Sequence, residues 1–187
     1  MALSSANVRV GVTGELSVAK TTATAPTGTT GALTGFVGLG YVSDDGVTEE
    51  RERDTETIVA WQNADKVRTL VTEGSLKFSL TLIESKAEVI ELFYGSTVKK
   101  TTTHGEIDVF PTRTGGRRSF VLDVIDGDSH KRIYIPEGEV SEVGEIEYKS
   151  DEPIGYEVTI EAYASEALGG AAARIWDTSL KSASGSA

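Results

Sequence analysis

Cysteine is absent from these 187 residues. Neither a disulfide framework nor a thiolate metal site can be built without it. Histidine is scarce as well: only His104 and His130 occur, one in a Gly/Thr stretch and one beside a turn. With no HExxH and no paired-histidine spacing, a catalytic zinc site lacks its ligands, and both histidines read as surface residues. No apolar run approaches the ~20 residues that span a bilayer. The opening run Met1-Ala-Leu-Ser-Ser-Ala-Asn7 lacks the basic-then-apolar order of a secretion signal, so folding in a cytoplasm is expected.

Constellations for catalysis are missing too. There is no Gly-x-Ser-x-Gly elbow and no Ser/His/Asp set at a useful spacing. Gly38-Leu-Gly40 is a fragment of a dinucleotide fingerprint, but Tyr41 and Val42 follow where a helix should start. The stretch Arg113 to Arg118 (RTGGRR) has glycines and cations that suit an anion. It lacks the Lys-Ser/Thr ending of a phosphate loop and lies between two strand patterns, so it reads as a turn, with contact to a neighbour's acidic surface as the sharper reading. Asp126-Gly-Asp128 and Asp44-Asp45-Gly46 do not continue into a full calcium loop and read as turns. The expectation is therefore no enzyme, no cofactor and no metal.

Basic charge is in short supply: 18 Lys and Arg face 29 Asp and Glu, a net −11. Gripping nucleic acid needs clustered cations, which this balance disfavours. An acidic wall past which DNA slides is not disfavoured, because it repels phosphates. Solubility is the plainer use of the same charge.

What the chain does have is Thr, Val and Gly in short alternating runs bounded by turn residues, the pattern of an antiparallel β-protein. Val8, Val10 and Val12 alternate with polar or small neighbours and predict a first strand, continued by Leu16 and Val18. Residues 20–35 are Thr, Ala and Gly with one proline, and read as a loop, free on the surface or packed on a neighbouring subunit. Phe36 to Val42 reads as a short strand interrupted by glycines, followed by a tight turn, Ser43 to Gly46. From Glu49 to Glu56 nearly every residue is charged. Val47 to Trp61 thus forms either a solvated loop or a hairpin buried against another chain.

Val67 to Ile83 is the clearest strand. Leu70, Thr72, Leu76, Phe78, Leu80 and Leu82 fall on one face; Thr69, Val71, Glu73, Ser75, Lys77, Ser79 and Thr81 on the other, with Gly74 as the expected bend or bulge. Ser85 and Glu88 suggest a capping box for a helix ending near Tyr94, with Gly95 as a left-handed stop. Glu106–Phe110, Arg117–Ile125, His130–Ile135, Glu142–Lys149 and Gly155–Ala164 read as further strands, the second and third joined by an Asp-Gly turn. In the last, Tyr156, Val158, Ile160 and Ala162 face one way and Glu157, Thr159 and Glu161 the other. A single domain over 1–181 is expected, with long loops at 20–35 and 44–65 and a disordered tail at 182–187.

The order of pieces from Gly40 to Gly95 carries more. Gly-Tyr-Val-Ser-Asp-Asp-Gly-Val-Thr-Glu (40–49), the Ala-Trp-Gln-Asn stop (60–63), Phe-Ser-Leu-Thr-Leu-Ile-Glu (78–84) and the helix end Glu-Leu-Phe-Tyr-Gly (91–95) follow one another at fixed spacing. This run resembles the major tail tube proteins of long, non-contractile-tailed bacteriophages, the actinobacterial type in particular. The resemblance implies an antiparallel β-sandwich or partly closed barrel with one flanking helix. It implies a structural virion protein that stacks in hexameric rings into a hollow tube for DNA ejection, assembled in the bacterial cytoplasm. The implied partners are further copies of the chain, tail terminator, tail-tip or initiator and tape-measure proteins, and double-stranded DNA passing through without specific binding; no membrane is involved.

On that reading the polar strand faces line the bore, through Glu73, Ser75, Ser79, Thr81, Glu157 and Glu161. Lys77 shares their face, with a neighbouring carboxylate as its expected partner. The ring-stacking loop holds Asp44, Asp45, Glu49, Glu50, Arg51, Glu52, Arg53, Asp54, Glu56 and Trp61, the tryptophan being either a core or hinge anchor or an intersubunit one. Two other classes compete: a β-sandwich adhesion or carbohydrate-binding module, which wants an exposed aromatic platform, and a small β-barrel hydrolase or isomerase, which wants a base that the chain does not offer.

Overall fold

A computed structural model describes residues 7–180. The tail 182–187, expected to be disordered, lies outside the described residues. Among those described, the strands are β1 (Thr13–Lys20), β2 (Val37–Gly38), β3 (Val42–Val59), β4 (Lys66–Leu82), β5 (Lys99–Lys100), β6 (Gly105–Glu106), β7 (Arg118–Asp126), β8 (Ser129–Val143), β9 (Tyr156–Ala162) and β10 (Arg174–Asp177). One α-helix, α1 (Ala87–Tyr94), follows β4. A single antiparallel sheet runs β2-β1-β7-β8-β9-β4-β3, with β10 also on β8; β5 and β6 make a separate small ribbon.

The sheet curls without closing. Leu16 and Val18 of β1 share one core with Phe78, Leu80 and Leu82 of β4, although these strands stand near opposite ends of the sheet order. Phe120, Ile135, Val158 and Ile160 fill the middle of that core, and Val89 and Leu92 of α1 cover one opening. Each fully buried aliphatic or aromatic side chain here contributes about 1.5–3 kcal/mol. This is the expected mainly-β fold with one flanking helix.

Strand β8 makes the curl possible. Its first part pairs with β7 and β10, its last part with β9. Between them the register against β7 slips by one residue, at Pro136 and Glu137. Proline has no N–H for the ladder, so a bulge is where a strand tolerates it; the buried Ser119 hydroxyl donates to the Pro136 carbonyl at 2.7 Å. Gly138 follows because a Cβ there would stand 2.8 Å from the Phe120 ring.

Several local expectations are corrected. Val8, Val10 and Val12 are exposed and precede β1, which holds Leu16 and Val18 instead. Ser43–Gly46 is a multi-residue bulge inside β3, opposite the step from Leu80 to Leu82, rather than a turn between strands. The bulge of β4 falls at Thr72, not at Gly74: Asp54 pairs with Glu73 and Thr55 with Val71, leaving Thr72 unpaired, its hydroxyl donating to the Asp54 carbonyl at 3.2 Å. No capping box forms, since Ser85 bonds the Tyr156 hydroxyl at 3.0 Å and Lys86 occupies the N-cap without a side-chain bond. Gly95 is left-handed at φ 62° as expected, closing the helix. The strand expected at Glu106–Phe110 shrinks to β6, residues 145–149 are irregular, and Ile175 and Trp176 lie in β10, a strand not expected from the sequence.

The loop 20–35 is tied to its own sheet. It lies over the second face of β1, β7 and β8, where Val121 and Tyr134 are buried. Arg132 holds it there. Its guanidinium is 5% exposed, clasps Asp123 through Nε (2.7 Å) and Nη2 (2.8 Å), and donates Nη1 to the carbonyls of Gly28 and Gly31. His130 Nε2 stands 2.9 Å from the same Asp123 carboxylate, so this histidine is half-buried rather than a surface residue. A buried charge needs such complete pairing to be tolerable.

Candidate functional site: a polar sheet face and a projecting arm

The residues between Val47 and Val59 alternate along β3, and those between Thr72 and Leu82 along β4; cross-strand partners in an antiparallel pair share a face. Glu50 pairs with Lys77, Lys77 with Glu161, and Glu161 with Glu139, so one row crosses β3, β4, β9 and β8. A second row joins Thr48, Ser79 and Thr159, with the Ser79 and Thr159 hydroxyls bonded at 3.0 Å. A third pairs Thr81 with Glu157. Toward the arm, Ser75 faces Glu52 and Glu73 faces Asp54. All six residues expected to line the bore therefore lie on one face, the side of the sheet turned away from Phe78, Leu80, Val158 and Ile160.

That face carries the carboxylates of Glu50, Glu52, Asp54, Glu73, Glu139, Glu157 and Glu161 against the ammonium of Lys77, with Arg68 joining it farther along the arm, opposite Ile58. Among the described residues Lys77 forms no ion pair, so its expected carboxylate partner is not realised within the chain. Two acid pairs, Asp54 with Glu73 and Glu139 with Glu161, stand directly opposite each other. Like charges in that position cost stability. Nothing in monomer stability explains them, and they set a negative potential along the face.

Both margins of this face are open. Among the described residues the outer edge of β3 has no strand beside it, and β7 leaves β8 after the Arg118–Gly138 pair, so Glu139–Val143 have a partner on the β9 side alone. Unpaired edges of this kind invite another strand.

Beyond the core the β3–β4 hairpin projects as an arm. From Glu49 to Val59 it reaches roughly 35 Å at strand rise, with nearly every residue exposed. Of the two readings of Val47 to Trp61, loop or hairpin, the structure has the hairpin, and only 60–65 is its turn. The residues grouped as a stacking loop do not act as one surface. Asp44 and Asp45 sit in the bulge at the arm's base; Glu50, Glu52, Asp54 and Glu56 share the polar face; Glu49, Arg51 and Arg53 take the opposite one. Beyond Thr72 the slip turns β4 over, as a one-residue shift must. Leu70 pairs with Glu56 and joins the polar side, and Val71 pairs with Thr55 on the other, reversing the alternation expected there.

At the tip, Ala60 N–H donates to the Asp65 carbonyl at 2.8 Å, while Asn63 and Ala64 are left-handed at φ 58° and 53°. Trp61 is 96% exposed, which excludes the core-anchor reading. Ile58, Val59, Val67 and Val71 (63% exposed) surround the tip without any apolar cover. An apolar cluster at the end of a charged arm has one ordinary use, contact with another surface.

A matching family model, described as phage tail tube protein, covers residues 1–183. The chain belongs to the phage tail tube protein family. It is thus a structural component of a phage tail, and the family gives no reason to look for catalysis. Among solved structures the tail tube chain is similar to a chain of an extracellular contractile injection system, the PVC sheath–tube complex in its extended state. Identity is 7% and the TM-score 0.50, over 93% of this chain and 98% of that one. A crystal structure of Hcp protein aligns at 8% identity and TM-score 0.35, over 88% of this chain and 98% of that one. At such identities the first likeness speaks for the fold. No curated protein matches the sequence.

Proposed function

We propose that this tail tube protein polymerises in stacked hexameric rings into the tube of a long, non-contractile phage tail, of the actinobacterial type, through which double-stranded DNA is ejected. One observation carries the reading: a polar, acidic sheet face bounded by two unpaired edges. Edge-to-edge pairing around a ring would remove both hazards and turn the face into a continuous inner wall. Glu73, Ser75, Ser79, Thr81, Glu157 and Glu161 would then line the bore, with Glu50, Glu52 and Thr159 beside them. Phosphates would be repelled within a screening length of about 8 Å at physiological salt, so DNA passes without adhering. Head-to-tail contact through the arm extends the stack because that symmetry does not close. The role is passive. Tail terminator, tip or initiator and tape-measure proteins set the ends and length, and assembly takes place in the host cytoplasm.

Negative-stain electron microscopy of the concentrated protein, with light scattering on the same sample, is the direct test. Tubes or rings are expected. A protein that remains monomeric even with tail-tip components added overturns the reading. In tubes that form, the pair Glu157→Lys and Glu161→Lys is expected to make short duplex DNA co-sediment at low salt, whereas wild-type tubes leave it in solution.

A further inference from the structure

Among the described residues the arm's tip has nothing to touch. Strand β4 is 17 residues long and begins at the tip, so the tip stands roughly 50 Å from the strand's far end. Helix α1 starts five residues after β4 ends and lines a groove of about 890 Å³. The groove's Lys20–Arg118 row runs through Gly138 and Ala162 to beside the Glu161–Lys77 pair, about ten residues of β4 or roughly 33 Å from Lys66 at the tip, so the tip does not reach it within its own chain.

The groove suits an apolar tip on a mixed-charge stem. Val18, Ala19 and Val37 supply apolar wall; Lys20 and Arg118 supply cations, and Glu88 and Glu91 supply anions. The stem brings both signs: Asp54 and Glu56 on β3, Lys66 and Arg68 on β4. The two grooves beside Val47, Leu122 and Val124 are smaller, about 290 and 390 Å³, and lie at the arm's own base, where a head-to-tail neighbour's tip does not arrive.

We propose that the groove between β1, β2 and α1 receives the arm tip of the next copy in the stack, with Trp61 as the buried anchor and the charges fixing register. Buried tryptophans surrounded by a polar rim are the usual energetic centre of an interface, and complementary charge sets orientation more than affinity. The inference rests on the tube reading and names the surface that completes it.

The absence of cysteine makes a clean cross-linking test possible. Gln62→Cys, at the tip, leaves Trp61 in place; Thr22→Cys, on a tagged copy, marks the groove. Asp128→Cys, in the exposed β7–β8 turn, is the control partner. The two copies are mixed under assembly conditions with tail-tip components and mildly oxidised. The Gln62–Thr22 pair is expected to give roughly tenfold more mixed disulfide dimer than the Gln62–Asp128 pair, because docking raises the effective concentration of the thiols. Tubes without that excess overturn the groove assignment and leave the tube reading standing. Neither tubes nor excess overturns both.

Discussion

The β3–β4 hairpin is two structures on one pair of strands. Near the sheet, Phe78, Leu80 and Leu82 are buried and every second residue faces the polar side. Past Leu76 the same two strands keep pairing for many residues with almost nothing buried. The near half is held by the chain's own core. The far half has only its ladder, and a two-stranded ribbon in water is marginal by itself. Stability and assembly are thus assigned to different stretches of the same strands, and substitution should separate them.

The largest expected effects lie in the near half and the sheet behind it. Phe78→Ala removes a core aromatic and should cost about 3–5 kcal/mol, visible as a large drop in the thermal midpoint by circular dichroism. Asp123→Ala strands the buried Arg132 and should cost about 3–5 kcal/mol; in hydrogen exchange the 20–35 loop should lose protection with it. Equal melts for either variant and the wild type would break the comparison from that side.

Next in size is a change confined to the far half. Trp61→Ala should leave the monomer melt within about 0.5 kcal/mol of wild type, since the side chain is 96% exposed. It should nevertheless abolish tubes in the microscope. Deleting Thr72 sharpens the point. It removes the bulge and the extra twist that a bulge brings, so the arm should still form but aim its tip elsewhere, with monomer stability little changed and assembly lost. If either variant assembles normally, the arm is not the stacking element.

The smallest effect concerns pH. Glu137 is held below the ordinary carboxylate range by its hydrogen bond from Arg117 and, second, by that from Ser165; Asp177 is held down by the Ser179 hydroxyl and backbone N–H. A carboxylate whose folded value is depressed stabilises fully above its unfolded value and loses that contribution as pH falls through the folded one. Arg117→Ala should therefore melt slightly below wild type near neutrality, and the two curves should converge as the solution is taken below about pH 4.

Some of this was legible from residues and some was not. The alternation of β9 and of Leu76–Leu82 gave the buried and polar faces directly, because the period of two survives wherever no residue is inserted. It failed beyond Thr72 for the same reason: one extra residue reverses the positions from Val71 to Arg68, until a second slip at Val67, and no residue type announces it. The capping box at Ser85 failed because the hydroxyl found a better partner in Tyr156, 71 residues away. The Asp123–Arg132 clasp was within reach. A two-residue turn, Gly127-Asp128, that pairs Asp126 with Ser129 carries Asp123 onto Arg132 three steps later, and only the register had to be counted.

By itself the sequence determined the class of the molecule: β-strands from alternation, one short helix stopped by Gly95, an excess of acidic residues, and no cysteine for thiol chemistry. It also placed the family resemblance in the order of segments from Gly40 to Gly95. The tertiary structure alone decided that Glu50, Lys77, Glu161 and Glu139 form one row across four strands, that both edges of this face are open, and that Trp61 stands in water at the end of an arm. Periodicity reports which side of its own strand a residue occupies. Which strands lie side by side, in what register, and what remains uncovered are set by the packing of the whole core, which no local pattern contains.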